Sequence, residues 1–192
     1  MTRRSTLAAA ARARRRAQRG FTLIELMVTV TILAILAALA APSFNEAFLG
    51  NKLAAYANSF VASAQFARSE AIKRNGTVVM CRSATGTACA TSGTWQQGWI
   101  VWRDDNANST VDSGEVLQIQ QALSPDYRFS AASDAYSLDF LASGGAQISG
   151  GGSPATLTLC RATPEPGRQE RTLRVTATGR TSVEKTTTGS CT

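Results

Sequence analysis

Gly20-Phe21-Thr22-Leu23-Ile24-Glu25-Leu26-Met27 decides how the rest of the 192-residue chain is read. Before Phe21 lie seven arginines (Arg3, Arg4, Arg12, Arg14, Arg15, Arg16 and Arg19) and no acid. After Gly20 runs Phe21–Ala41, apolar except for Thr22, Glu25, Thr29 and Thr31. As a helix this stretch spans about 31 Å, enough for a bilayer's hydrocarbon core. Positive charge ahead of a single apolar span keeps the N-terminus cytoplasmic and sends the remainder outward. An ordinary secretory signal has the same outline, and Ala38-Leu39-Ala40 resembles a small-residue cleavage site. Glu25 argues against that reading. A carboxylate inside an apolar span costs about 2.5–3.5 kcal/mol at mid-membrane, less near an interface, and a signal peptide has no use for it.

A basic leader ending in Gly, then Phe, then Glu five residues into the mature chain resembles the signature of type IV prepilins and type II secretion pseudopilins. The resemblance implies that a prepilin peptidase cuts between Gly20 and Phe21 and methylates the new amine of Phe21. It implies that Glu25 meets the positive N-terminus of a neighbouring subunit, where pairing makes a buried carboxylate tolerable. Pro42 matches a family position at which the helix kinks, consistent with the backbone hydrogen bond that proline removes.

From Phe44 to Asn75 the apolar positions Leu49, Leu53, Tyr56/Ala57, Phe60, Ala64, Ala67 and Ala71 fall three and four apart, one face of a helix. Lys52, Asn58, Arg68, Glu70, Lys73 and Arg74 supply a polar side, and Asn75-Gly76 is a stop signal. The spacing predicts one helix over 21–75, about 80 Å if straight, with 21–41 transmembrane. Beyond Gly76 come short β-favouring runs: Thr77–Arg82, Trp99–Arg103, Val116–Gln120, Tyr127–Ser130, Ser137–Phe140, Thr156–Cys160 and Arg171–Ala177. Turn residues between them argue an antiparallel sheet, and Gly144–Pro154 reads as a loop. The expected architecture is α+β and type IV pilin-like: a leader (1–20), a long helix (21–75) packed on an antiparallel sheet, and a β-rich head (76–192).

Several runs in the head are similar to the GspH/FimT branch of minor pilins and pseudopilins. They are Ala67–Gly76 with Val78–Cys81, Gly98–Trp102 with an Asp/Asn loop and Gly114–Leu117, Thr156–Cys160, and Leu173–Val175 with Thr178–Arg180. The implied protein is a non-enzymatic, single-pass inner-membrane subunit with a periplasmic head, joining a pilus or pseudopilus. Its implied partners are prepilin peptidase and other major and minor pilins or pseudopilins, and no cofactor is expected. Without histidine there is no Ser–His or Cys–His pair, and neither a phosphate-binding loop ending in Lys nor a GxSxG motif occurs.

Four cysteines on the outer side of a membrane can form disulfides, and no CxxC suggests zinc. Three pairings are open. Cys81–Cys89 would close a hairpin and Cys160–Cys191 would tie the tail to the sheet; these are the expected pairs, with Cys81–Cys160 the alternative to exclude. Asp104, Asn106, Asn108, Thr110, Asp112 and Glu115 occupy positions 1, 3, 5, 7, 9 and 12 of an EF-hand-like loop. Ser109 stands where that loop wants Gly, and the flanks read as strands. A solvated hairpin loop without metal is the preferred reading, calcium the alternative.

The net charge of +7 suggests nucleic acid, but beyond residue 20 thirteen bases face thirteen acids. From Arg161 onward six bases face three acids, while residues 104–139 hold seven acids and one base. Some FimT-branch members bind DNA through a Gly-Arg-x-Arg tail. The corresponding run here is Gly179-Arg180-Thr181-Ser182, with serine at the second arginine. Arg171, Arg174, Arg180 and Lys185 are the candidate DNA contacts, and a DNA receptor is the alternative function.

Overall fold

The computed structural model describes residues 20–106, 108–150, 152–162, 170–186 and 191. The chain divides into two compact units, Met1–Phe44 and Asn45–Thr192. Helix α1, Leu23–Arg74, contributes to both and includes Pro42. The expected leader, 1–20, lies outside the described residues except for Gly20.

In the first unit the helix begins with Thr22, whose Oγ1 accepts the Glu25 backbone N–H at 3.2 Å. This is one half of a capping box, Thr-x-x-Glu, which satisfies a donor that the first helical turn leaves without a partner. Leu23–Ala40 has a mean hydropathy of 2.5 and none of it is buried. It is the one segment among the described residues long and apolar enough to cross a membrane. The two threonines inside it satisfy themselves. Thr29 Oγ1 donates to the Leu26 carbonyl at 2.9 Å and Thr31 Oγ1 to that of Met27 at 2.7 Å. Such back-bonding leaves no hydroxyl seeking a partner in hydrocarbon.

In the second unit the helical stripe is the core. Leu53, Ala57, Phe60, Ala64, Ala67 and Ala71 are all at most 1% exposed. Asn75 ends the helix in the left-handed conformation at φ 50. Its N–H donates to the Ile72 carbonyl at 3.3 Å and that of Gly76 to the Ala71 carbonyl at 3.1 Å. This is a Schellman cap with Asn in the position glycine usually holds.

Two antiparallel sheets pack with the helix. The five-stranded sheet has the order β3-β2-β1-β5-β6, built from β1 Val78–Arg82, β2 Trp99–Trp102, β3 Val116–Gln120, β5 Ser137–Phe140 and β6 Ala146–Ser149. The four-stranded sheet has the order β4-β7-β8-β9, from β4 Tyr127–Ala131, β7 Ala155–Arg161, β8 Glu170–Val175 and β9 Thr181–Thr186. A 3-10 turn, Trp95–Gln97, precedes β2. Phe60 joins these layers. Its ring meets Trp95 at 5.3 Å, Trp99 of β2 at 5.4 Å and Phe129 of β4 at 5.1 Å, all edge-on. One helical side chain thus touches both sheets. Among the described residues every buried core side chain belongs to this second unit, which therefore carries what it needs to fold alone.

The structure departs from the expected elements in three places. Gly144–Pro154 is not a plain loop, because Ala146–Ser149 pairs with Ser137–Phe140 as β6. The segment after Arg180 is a strand, β9, paired along its length with β8. Glu70, assigned to the polar side, is 9% exposed and buries its carboxylate between Arg74 and Lys73.

Candidate functional site

Gly20 and Phe21 precede the helix, and Phe21 is 82% exposed. Thr22 caps the helix; Glu25, on its first turn, is exposed. A Gly-Phe junction, an exposed bulky residue and an acid near the start of an apolar helix therefore lie within six residues. Thr22 carries a role not assigned to it from sequence, although Thr followed three residues later by Glu is a readable cap signal.

The described side chains of the apolar helix leave twelve large hydrophobics between Phe21 and Leu39 more than 45% exposed. A stretch this greasy needs lipid or other helices around it. In the second unit, by contrast, two disulfides pin the head. Cys81 joins Cys89 and Cys160 joins Cys191, with Cα separations of 5.5 and 5.7 Å. The first fastens the β1–β2 connection to the five-stranded sheet, and the second holds Cys191 against β7.

The four candidate DNA contacts do not share a face. Arg171 of β8 lies directly opposite Lys185 of β9, and Arg174 lies opposite Ser182. Successive strand residues point to opposite faces, so residues 171 and 174, three apart, point to opposite sides of the sheet. Arg171 and Lys185 share the face that carries Leu173 and Val183. Arg180 sits in the turn at the other end of the hairpin, where its N–H donates to Thr176 Oγ1 at 3.2 Å. Gly179 beside it has φ +73, and a Cβ there would strike the Gly144 carbonyl oxygen. The glycine of the Gly-Arg pair is therefore explained by the turn itself.

The Asp/Asn loop is internally bonded. Asp104 accepts the N–H groups of Asn108 and Ser109 at 3.0 and 2.7 Å, and Glu115 those of Asp105 and Asp112, each at 2.9 Å. Asp112 Oδ2 accepts amide N–H groups from Asn106 and Asn108, both at 2.7 Å. Asn108 Oδ1 takes the Thr110 N–H at 2.8 Å. Ser109 adopts φ +60, the left-handed conformation that the loop position wants glycine for. Among the described residues no three His, Cys, Asp or Glu side chains gather as a metal-holding group.

An apolar helix opened by a Gly-Phe junction and an acid, in a chain whose second unit wraps two antiparallel sheets about a helix, defines a prepilin-type subunit. Residues 15–41 match the prokaryotic N-terminal methylation motif. Residues 56–179 match the type II transport protein GspH family, and the chain belongs to that family of minor pilins and pseudopilins. Its fold is similar to that of the type IV minor pilin FimU of Pseudomonas aeruginosa. The two are 19% identical with a TM-score of 0.52, over 70% of this chain and 89% of that one. A second crystal form of FimU gives 18% identity and a TM-score of 0.48 over 67% and 89%.

Proposed function

We propose that the chain is a structural subunit of a type IV pilus or a type II secretion pseudopilus, with no catalytic step of its own. Residues 1–20 form the leader. Prepilin peptidase removes it between Gly20 and Phe21 and methylates the Phe21 amine. The 21–41 segment then holds the subunit in the inner membrane, with the β head, 76–192, on the periplasmic side. On assembly Glu25 pairs with the amine of a neighbouring Phe21, and Pro42 bends the helix as it leaves the membrane.

The observation that carries this reading is the wholly unburied apolar helix start with an acid on its first turn. Neither feature serves the folded head, and both serve a helix that packs among other such helices. Intact mass of the membrane-extracted protein, expressed beside a prepilin peptidase, tests it. The expected species begins at N-methylated Phe21. A species beginning at Ala41 would restore the secretory reading, and one retaining Met1–Gly20 would remove the processing step.

The DNA-receptor alternative draws its support from the net positive charge after Arg161. The dispersal of Arg171, Arg174, Arg180 and Lys185 over two faces and both ends of one hairpin weighs against it. Deletion of the gene separates the two. Loss of filaments or secretion follows from a structural subunit, whereas loss of transformation with filaments intact follows from a receptor.

A further inference from the structure

On the outer face of the five-stranded sheet, pairing aligns one row of side chains across four strands. Trp102 of β2 lies opposite Val79 of β1, Val79 opposite Asp139 of β5, and Asp139 opposite Gln147 of β6. Paired residues share a face, and strands lie about 4.8 Å apart, so Trp102 and Asp139 stand about 10 Å apart with Val79 as the floor between them. Tyr136 and Ser149 extend the Asp139 side, and Asp104, entering the β2–β3 loop, closes the Trp102 side. Val79, Trp102, Asp104, Tyr136, Asp139 and Ser149 line an open cleft of about 600 Å³, within the range of small-ligand sites.

The cleft has a definite chemistry. Asp139 is oriented by the hydroxyls of Ser137 at 2.7 Å and Ser149 at 3.4 Å. Asp104 is oriented by two loop N–H groups. These contacts place the carboxylates without neutralising them, and each oxygen has further lone pairs to offer. No described lining residue is basic. The neighbouring guanidinium, Arg82, stands 5.9 Å from the Tyr136 ring and donates to the carbonyls of Ala90, Thr91 and Gly93.

We propose that this cleft binds an ammonium or guanidinium carried on an alkyl stem, as in a lysine or arginine side chain or a polyamine. The stem lies along Val79, flanked by the exposed edge of Trp102 and by Tyr136, and the charge meets Asp139, with Asp104 adding its attraction from across the cleft. Aromatic faces and carboxylates both attract a cation. An anion is repelled by both acids, and an uncharged chain leaves both without a counter-charge. The inference is independent of whether the subunit serves a pilus or a secretion machine.

The test uses the second unit, residues 45–192, labelled with nitrogen-15. It is titrated with N-acetyl-lysine methylamide, N-acetyl-arginine methylamide, putrescine and uncharged N-acetyl-norleucine methylamide. The expected result is a saturable shift of the Trp102 indole and Tyr136 resonances with the three cations and none with the norleucine compound. Asp139→Asn should weaken binding about tenfold, the loss of one charge-assisted contact, while Asp126→Asn leaves it unchanged. Tighter binding of putrescine than of the lysine compound would assign the site to a free polyamine, and the reverse to a peptide side chain. The proposal is overturned if no cation gives a saturable shift, if norleucine binds as well as lysine, or if Asp139→Asn binds as the parent does. Should Asp139→Asn fold poorly, Ser149→Lys supplies a tethered ammonium at the rim and should abolish binding; unchanged binding there would also overturn it.

Discussion

Arg68 of the helix donates its Nε–H to the carbonyl oxygen of Gly144, in the β5–β6 turn, at 2.8 Å. The same carbonyl faces Gly179, whose absent Cβ leaves room for it. The Ala177 carbonyl, two residues earlier, accepts the N–H of Ala146 at 2.9 Å and so links the two sheets. Helix, β6 and the β8–β9 turn thus meet at one corner. Gly179→Ala places a methyl against a backbone oxygen at a positive φ and should destabilise the second unit by about 2–3 kcal/mol. Arg68→Ala removes one side-chain hydrogen bond and should cost about 1 kcal/mol. Urea denaturation of residues 45–192 checks both, and equal costs would sink the collision argument.

Phe60 should be the most sensitive core position. It is fully buried and edge-on to Trp95, Trp99 and Phe129. Phe60→Ala leaves a cavity between helix and both sheets, with an expected loss of about 3–5 kcal/mol. Phe60→Leu keeps most of the volume but loses the ring contacts, worth about 0.5–1.5 kcal/mol each beyond area. Equilibrium unfolding monitored by tryptophan fluorescence measures the difference. A Phe60→Leu variant as stable as the parent would show that the aromatic geometry contributes nothing.

Glu70 links stability to pH. The hydrogen bond from Arg74 holds its carboxyl below the ordinary 4.5, aided by the charges of Lys73 and Arg74 and opposed by burial. Because the folded pKa lies below the unfolded one, its contribution is complete above about pH 4.5 and is lost as pH falls through the folded pKa. The stability difference between the parent and Glu70→Gln should therefore be constant near neutrality and shrink in acid. A difference that grows as pH falls would mean that the ion pair is not its source.

The two disulfides should contribute unequally. Cys160 and Cys191 are 31 residues apart in sequence, Cys81 and Cys89 only 8. Chain entropy in the unfolded state then gives about 3.7 kcal/mol for the longer loop and about 2.5 kcal/mol for the shorter. Paired Cys→Ser variants, compared in urea without reductant, should show the larger loss for 160/191. The opposite order would locate the stabilisation in the native packing of Cys81, which is fully buried beside Ile100 and Trp102.

The parts of the fold legible in the sequence are those where burial writes a pattern. The stripe from Leu53 to Ala71 is periodic because one helical face is covered, β1 and β2 carry unbroken apolar runs, and β7 alternates Leu157 and Leu159 with Thr156 and Thr158. Strand β6, Ala146–Ser149, is four residues flanked by glycines, and its alternation of Ala146 and Ile148 with Gln147 and Ser149 is too short to stand out from a glycine-rich loop. Strand β9, Thr181–Thr186, pairs on one side only, and its Ser182–Lys185 side chains are exposed. An edge strand bathed in water needs no apolar period, and its charged Glu184 and Lys185 discourage further pairing. The split of the basic residues was in principle readable, since positions 171 and 174 cannot share a strand face. The row Trp102–Val79–Asp139 was not, because it depends on strand order and register between segments 23 to 60 residues apart in sequence.

Two roles are proposed for Glu25, and one pair of substitutions separates them. Its position on the first turn suits the Thr22 cap and the positive end of the helix, and its charge suits pairing with a neighbouring Phe21 amine. Glu25→Gln keeps a side chain able to serve the cap but removes the charge, whereas Glu25→Leu removes both. If the charge pair governs assembly, both variants should lose their leader and stay in the membrane, yet fail to enter filaments. Neither loses hydrophobic anchoring; Leu in fact removes the insertion cost of an acid, about 2.5–3.5 kcal/mol at mid-membrane and less at the interface. Sheared-filament fractions probed for each variant, beside N-terminal mass of the membrane pool, give the answer. Normal incorporation of Glu25→Gln with exclusion of Glu25→Leu would assign Glu25 to the helix cap, and the buried charge pair would have to be abandoned.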